Sequence, residues 1–381
     1  MTDATTPLIL LAAGGTGGHV FPAEAVAAEL LARGHRLALV TDRRGAAMGG
    51  ALGQLPTHPV RAGGIAGLGA GRRILAVGEL AWGTAQAFRL IRRLRPGVVA
   101  GFGGYASVPP VAAALLARRP TLIHEQNAVL GRANRLFAGH VDRVALSLER
   151  STGLSAAARA RAVHTGMPVR PAVAAVRDAP YPEPDMEGPL RLLVVGGSQG
   201  ARVFSDVIPA AVGRLRPDLR RRLHVVQQAR PEDVDRTRAA YEEAGVAADT
   251  RPFIDDLPDR LAAAHLVIGR AGASTLAEVT TVGRPAILVP FPYAADDHQR
   301  ANAQALDEAG GGWLLPQDTF TADTLAGRLQ DLLDMPTSLT KAAACARAVG
   351  RPDAARALAD HITALARGEA APAGTTEEAA P

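Results

Sequence analysis

The same local pattern occurs twice in this chain, and it limits the available folds more than any other feature. Pro7–Ala13 (PLILLAA) is a continuous apolar run, too short for a helix and ending in glycines, which is how a strand buried on both faces reads. It runs into GGTGGHVFPA and then a helical stretch, Glu24–Arg33, closed by Gly34. Downstream, Leu190–Val195 (LRLLVV) leads into GGSQGA at Gly196–Ala201 and a second helical stretch, Arg202–Leu215. Gly196 stands 182 residues after Gly14, about the size of one domain. Other apolar runs read as strands of the same two sheets: Arg36–Thr41, Gly97–Gly101 and Pro120–His124, then Leu223–Gln227, Leu266–Ile268 and Pro285–Val289. Helical patterns separate them at Val111–Arg118, Pro231–Ala244, Ser274–Val282 and Gln299–Ala309. The expectation is α/β, with two doubly wound domains side by side.

Prolines cluster and periodicity is lost in Val169–Glu187, so the domain boundary is expected there. The predicted division is 1–167, then 168–366 with a last helix able to pack back on the first domain. The remainder, 367–381 (GEAAPAGTTEEAAP after Arg367), lacks bulky apolar groups and reads as a disordered tail. A net charge of +5 is too mild to argue for nucleic acid, and 41 of the 42 basic residues are arginine, a drift of composition rather than a functional choice. The single cysteine, Cys345, excludes a disulfide framework and a cysteine-based zinc site. The start, MTDATTPLILLAAGG, has no basic n-region, and no run approaches the ~20 apolar residues that span a bilayer. The expectation is a soluble protein of a reducing compartment.

In open α/β sheets, ligands collect at the carboxyl ends of the strands, where glycine loops and helix N-termini converge and favour phosphate. Neither loop is a Walker A motif, because the sole lysine, Lys341, lies elsewhere. Neither is a dinucleotide fingerprint, since aligning Gly15 and Gly17 puts Val20 where a third glycine belongs. Asp42 follows the second strand as a ribose-binding carboxylate would, but it reads better as a surface loop residue. A third glycine segment, GFGGYASVPP at Gly101–Pro110, places Tyr105 at a loop tip. Asp233–Asp235 forms a DxD, but it opens a solvated helix, where acids are favoured without any metal.

Six segments in order make the pattern specific: GGTGGHVFPA (Gly14–Ala23), GFGGYAS (Gly101–Ser107), HEQNAVLGRANR (His124–Arg135), GGSQGAR (Gly196–Arg202), RAGASTLAE (Arg270–Glu278) and VPFPYAADDHQRANA (Val289–Ala303). Together they resemble the MurG family of peptidoglycan glycosyltransferases, over the chain from Leu8 to about Leu365. The resemblance implies the GT-B architecture, two Rossmann-like domains facing across a cleft, with the sugar nucleotide held mainly by the second. It implies transfer of N-acetylglucosamine from UDP-N-acetylglucosamine to lipid I, the undecaprenyl-diphosphate-linked N-acetylmuramyl-pentapeptide, giving lipid II. No cofactor and no metal are implied.

Carried over by residue, the resemblance suggests that Ser198 and Arg170 contact the diphosphate, and that Ile254 offers backbone groups to the uracil. Ala273, Ser274, Thr275 and Leu276 open the helix from which Glu278 would accept the ribose hydroxyls. His298, Gln299 and Asn302 would read the sugar hydroxyls, and Asn127 would hold the N-acetylglucosamine. Thr16, Gly17 and Gly18 would line the reaction centre. One departure is Met167, where the family pattern GNPVR has asparagine.

An α-linked donor and a β-linked product imply inversion, which needs a base for the acceptor 4-hydroxyl and stabilisation of the leaving diphosphate. His19, directly after the first glycine loop, is expected to be the base or a partner that orients it; Glu125 is the rival, and Tyr105 is grouped with them as a catalytic candidate. Leaving-group charge would fall to the third loop's helix N-terminus and Arg170.

The acceptor lies in a membrane, so the enzyme is expected at the cytoplasmic face of the bacterial inner membrane, as a peripheral protein. In Arg72–Pro96, Ile74, Val77, Ala81, Ala85, Phe88 and Ile91 are expected to face the core. Leu75, Glu79, Trp82, Gln86, Arg89 and Arg93 would point outward, with Leu75, Trp82 and Arg89 as membrane contacts. Rival readings are another GT-B transferase acting on a lipid acceptor, and a nucleotide-binding regulator or dinucleotide reductase. The last would leave Glu278, Gln299 and Asn127 unexplained.

Overall fold

A computed structural model describes residues 6–14, 17–42, 49–63, 70–185, 187–197 and 200–369. The chain divides into two compact units, residues 1–170 with 353–381, and residues 171–352. The division into units thus falls at 170/171, and the chain returns to the first unit at residue 353. The helix Ala354–Arg367 buries Leu358, Ala359 and Ile362 among Ile9, Leu11 and Val98 of the first unit.

In the first unit, seven parallel strands lie in the order β3-β2-β1-β4-β5-β6-β7. They are β1 (Leu8–Ala12), β2 (Arg36–Thr41), β3 (Thr57–Pro59), β4 (Val98–Gly101), β5 (Thr121–Glu125), β6 (Arg143–Leu146) and β7 (Ala162–His164). β1 runs between β2 and β4, with Leu10 opposite both Ala38 and Val99. In the second unit, the order is β10-β9-β8-β11-β12-β13, again all parallel. Those strands are β8 (Leu190–Val195), β9 (Leu223–Gln228), β10 (Ala247–Arg251), β11 (Leu266–Gly269), β12 (Ala286–Leu288) and β13 (Gly312–Leu314).

The central strands were legible because a strand covered on both faces must be apolar throughout. The five unpredicted ones, β3, β6, β7, β10 and β13, lie at or beside sheet edges and are three to five residues long. Half-covered strands such as Ala247–Arg251 (AADTR) carry no continuous apolar run, and β3 ends in a proline that only an edge tolerates.

The first helix spans Gly17–Ala32, earlier than the predicted Glu24 start, because Gly17, Gly18 and Pro22 read as breakers in sequence. The helix Gly104–Leu116 likewise begins before its predicted start, so Tyr105 stands half-buried in a first turn rather than at a loop tip. Asp42 is also corrected: it is buried beside Gly14, not exposed on a loop. The segment 171–185 is folded onto the second unit. Tyr181 donates its hydroxyl to the His265 carbonyl at 2.8 Å, and the buried Arg284 guanidinium reaches the carbonyls of Pro180, Leu261, Ala262, Val282 and Gly283. The predicted tail from residue 370 onward lies outside the described residues.

The Ala70–Leu94 helix departs from its predicted facing. Val77 and Ala81 are exposed, while Ala76, Gly83, Ala87, Leu90 and Ile91 form the buried face. Gly83 decides this. A Cβ there would lie 1.8 Å from the Arg61 carbonyl oxygen, so the helix meets the 60–63 segment along its glycine. Gln86, predicted outward, is half-buried and accepts a hydrogen bond from the Arg61 amide. The Ile74 side chain lies outside the described residues. Leu75, Trp82 and Arg89 are exposed as predicted.

Candidate active site

At the carboxyl end of β4, Gly103 and Gly104 adopt φ of 79° and 71°. A Cβ on either would come within 3.2 Å and 3.0 Å of the His19 ring, so the pair lets the imidazole lie flat against the loop. His19 Nδ1 lies 3.1 Å from Gln126 Oε1. The Gln126 amide nitrogen donates to Phe102 O at 2.9 Å and to His124 O at 3.1 Å, and lies 3.0 Å from His124 Nδ1. His124 Nε2 in turn meets Gly166 O at 3.3 Å and Ser147 Oγ at 3.2 Å. Burial pushes the His124 imidazole down to a pKa of about 4, so the ring is neutral at physiological pH. Met167 closes this row, its sulfur 3.7 Å from Ser147 Oγ.

Glu125 points to the other side of β5 and is buried. Its Oε1 accepts from the Asn127 amide at 3.0 Å and from Asn127 Nδ2 at 3.4 Å; its Oε2 accepts from Gly131 N at 2.8 Å and Asn134 Nδ2 at 2.9 Å. Four bonds on two oxygens satisfy a carboxylate, and they fold the 127–134 loop around it. Among the described residues its partners are amides, not an arginine. Asn127 is thereby held half-exposed at the strand end. Arg170 belongs to this first unit, its guanidinium 5.6 Å from the Phe21 ring centre. Gly17 and Gly18 form the first turn of the first helix, while Thr16 lies outside the described residues.

In the second unit, the Arg202–Gly213 helix begins directly after the Gly196–Ala201 loop. Ser198 lies outside the described residues. Ala273, Ser274, Thr275 and Leu276 form the first turn of the Ala273–Val282 helix, and the Ser274 hydroxyl is buried without a hydrogen-bond partner among the described residues. Glu278 sits one turn further along, 9% exposed, and Ile254 is buried just beyond β10. Gln299 Oε1 accepts from the Phe291 amide at 2.9 Å, which leaves its NH₂ group as the outward donor. His298 caps the preceding turn through Nδ1 to Ala295 O, after two aspartates, Asp296 and Asp297, at φ 53° and 51°. Asn302 lies deeper than the other two. It is completely buried and donates to Ala271 O at 3.0 Å, which braces the Arg270–Gly272 loop.

Two residues escaped sequence reasoning. Gln126 sat unremarked between better-known polar types. Arg270 lies between the rings of Phe204 and Phe291, at 5.1 and 5.5 Å, and donates to Val289 O, Pro290 O and Gln317. Burial lowers its pKa to about 10, still cationic near neutrality. No sequence signal marks either role, because the partners that define it, His19 and Phe102 for Gln126, Phe204 and Phe291 for Arg270, meet it only in the fold.

The DxD pair is committed elsewhere: Asp233 is held between Arg230 and Arg236 at 2.7 and 2.8 Å, and Asp235 pairs with Arg238. Among the described residues, no group of three or more His, Cys, Asp or Glu is placed to hold a metal ion.

The Glycosyltransferase family 28 N-terminal domain matches residues 9–146, and the Glycosyltransferase family 28 C-terminal domain matches residues 191–358. A curated relative from Paramagnetospirillum magneticum, the UDP-N-acetylglucosamine--N-acetylmuramyl-(pentapeptide) pyrophosphoryl-undecaprenol N-acetylglucosamine transferase, is 59% identical over 359 residues, 94% of this chain and 97% of its own. Its namesake from Rhodospirillum rubrum is 56% identical, covering 94% and 92%. The crystal structure of Acinetobacter baumannii MurG aligns with a TM-score of 0.76 at 32% identity, over 93% of this chain and 99% of that one. A kitacinnamycin glycotransferase, at 17% identity and TM-score 0.65 over 93% and 98%, shares the fold alone.

Proposed function

The chain belongs to glycosyltransferase family 28, and from that footing we propose that it transfers N-acetylglucosamine from UDP-N-acetylglucosamine to the N-acetylmuramyl unit of lipid I, giving lipid II for peptidoglycan. The observation that carries this reading is near-full-length identity of 59% to a relative so named, together with polar groups gathered at the strand ends of both units.

On the donor side, Glu278 accepts the ribose hydroxyls, Ile254 meets the uracil through its backbone, and the Gln299 NH₂ group donates to sugar hydroxyls. The unpartnered Ser274 hydroxyl and the helix N-terminus it sits on suit a polar, anionic ligand. Arg170 supplies a permanent positive charge and a planar fork for diphosphate oxygens. On the acceptor side, His19 takes the proton of the attacking 4-hydroxyl. The four bonds on Glu125 favour His19 over it as base, since Glu125 already serves as the anchor of the Asn127 loop. The hydroxyl oxygen then forms a bond to the anomeric carbon from the side opposite the departing UDP, inverting that centre, and the diphosphate leaves with the electron pair.

This transfer needs no divalent cation, because guanidinium and backbone N–H groups meet the developing charge. Membrane contact is peripheral, through the exposed Leu75, Trp82 and Arg89 face of the Ala70–Leu94 helix; no helix among the described residues is long and apolar enough to cross a membrane. The test is transfer of labelled N-acetylglucosamine from UDP onto a short-chain lipid I analogue, with and without EDTA. Product formation unaffected by EDTA is expected. Transfer only to a different lipid acceptor would replace the acceptor assignment, and EDTA-abolished activity restored by Mg²⁺ would overturn the metal-free step.

A further inference from the structure

We propose that Gln126 is a positioning residue that holds the His19 imidazole as its Nδ1–H tautomer, so that the proton-accepting lone pair resides on Nε2. The proposal rests on the reading of His19 as the base.

The assignment follows from which atoms can only accept. Phe102 O and His124 O lie 2.9 and 3.1 Å from one end of the Gln126 side chain. Both are carbonyl oxygens, so that end is the NH₂ group; the flipped amide would set oxygen against two oxygens. The other end, facing His19 Nδ1 at 3.1 Å, is therefore the carbonyl oxygen. An acceptor there demands that Nδ1 carry a hydrogen, and a neutral imidazole with Nδ1–H has its in-plane lone pair on Nε2.

The orientation of Gln126 is itself secured one step further back. His124 Nε2 faces Gly166 O, an obligate acceptor, so His124 carries its proton on Nε2 and presents a lone pair at Nδ1 to the Gln126 NH₂. A second proton on His124 would oppose that NH₂ group, and the buried ring stays neutral near pH 7. Ser147 Oγ shares the Nε2 side and lies against the Met167 sulfur. Glu125, the other titratable group of this strand end, is occupied on the opposite face by Asn127, Gly131 and Asn134. The relay thus runs Gly166–His124–Gln126–His19, with the two hydrogens of the Gln126 NH₂ group shared among Phe102 O, His124 O and His124 Nδ1. When the acceptor hydroxyl gives its proton to Nε2, the resulting imidazolium keeps its Nδ1–H bond to Gln126, and no second proton has to move.

The experiment is two-bond ¹⁵N–¹H correlation on the full-length protein labelled with ¹⁵N-histidine, at about pH 8, above the ordinary imidazole titration. The His19 signals are identified by their loss in His19→Asn. The wild-type ring is expected to show a protonated Nδ1 and an unprotonated Nε2; the reverse pattern, or a mixture, overturns the proposal without recourse to any Gln126 variant. Gln126→Met, of similar shape but without the amide, is expected to release the ring towards the Nε2–H form. It should also lower kcat about 10²-fold while the KM for UDP-N-acetylglucosamine moves less than about two-fold. An unchanged tautomer in that variant would also overturn it. Near-normal turnover by His19→Ala would instead end the reading of His19 as base, and the wild-type spectrum separates the two failures because it does not depend on activity.

Discussion

Glu125 and Glu278 look alike as single buried acids in a polar motif, yet their surroundings give them different work. The two oxygens of Glu125 hold a loop together through four hydrogen bonds, so losing the carboxylate would unfold the Asn127 turn as well as any chemistry. Glu278 stands 9% exposed on the helix that begins beside the unpartnered Ser274 hydroxyl, and its proposed partners are two ribose hydroxyls. Glu278→Ala should therefore raise the KM for UDP-N-acetylglucosamine by about 10- to 100-fold, the loss expected for hydrogen bonds to a charged group, with a smaller effect on kcat. Steady-state kinetics with varied donor checks this; an unchanged KM would remove Glu278 from the donor site. At this scale the motif residues were legible, because glycines beside a histidine or an acid stand out in sequence. Gln126 and Arg270 were not, since their meaning comes from His19, Phe102, Phe204 and Phe291, which only folding brings near.

Among the elements, the Ala70–Leu94 helix shows how a small residue can set a face. Periodicity of apolar side chains pointed Val77 and Ala81 inward, but Gly83 against the Arg61 carbonyl sets the actual contact, and those two face solvent. Gly83→Ala would place a carbon where the carbonyl oxygen now lies, so the helix must shift. A loss of about 1–3 kcal/mol, the usual cost of overpacking, should appear as a lowered denaturation midpoint. The exposed side of the same helix carries Leu75 and Trp82, at 71% and 51% exposure, with Arg89 following. Flotation with anionic liposomes should recover the wild type and less of Trp82→Glu; equal recovery would remove this face as the membrane contact.

For the whole molecule, stability is tied to pH through buried histidines, His35, His124 and His361 in the first unit and His265 in the second, whose charged forms burial disfavours. His124 in the first unit and His265 in the second are both pushed by burial to a pKa of about 4, from an ordinary 6.5. Once unfolded, either ring takes up a proton between those values, so the unfolded state gains protons there that the folded state refuses. Stability is complete above the ordinary pKa and falls as pH drops from 6.5 towards 4, by about 1.4 kcal/mol per pH unit for each ring. Urea midpoints at about pH 5 and pH 7 check this, with the lower midpoint expected at pH 5; equal midpoints would mean that the rings are protonated in the fold.

Amino-acid order alone determined the α/β class, the two doubly wound units, the central strands and the phosphate-suited glycine loops. Continuous apolar runs and glycine turns are local signals that need no partner to be read. Tertiary structure decided which face of the Ala70–Leu94 helix is buried, that Glu125 and Asn302 brace loops, and that the Gln126 side chain meets His19. The Gly83–Arg61, Asn302–Ala271 and Gln126–Phe102 contacts each depend on a backbone carbonyl that folding brings in, and carbonyl positions are not written in side-chain periodicity.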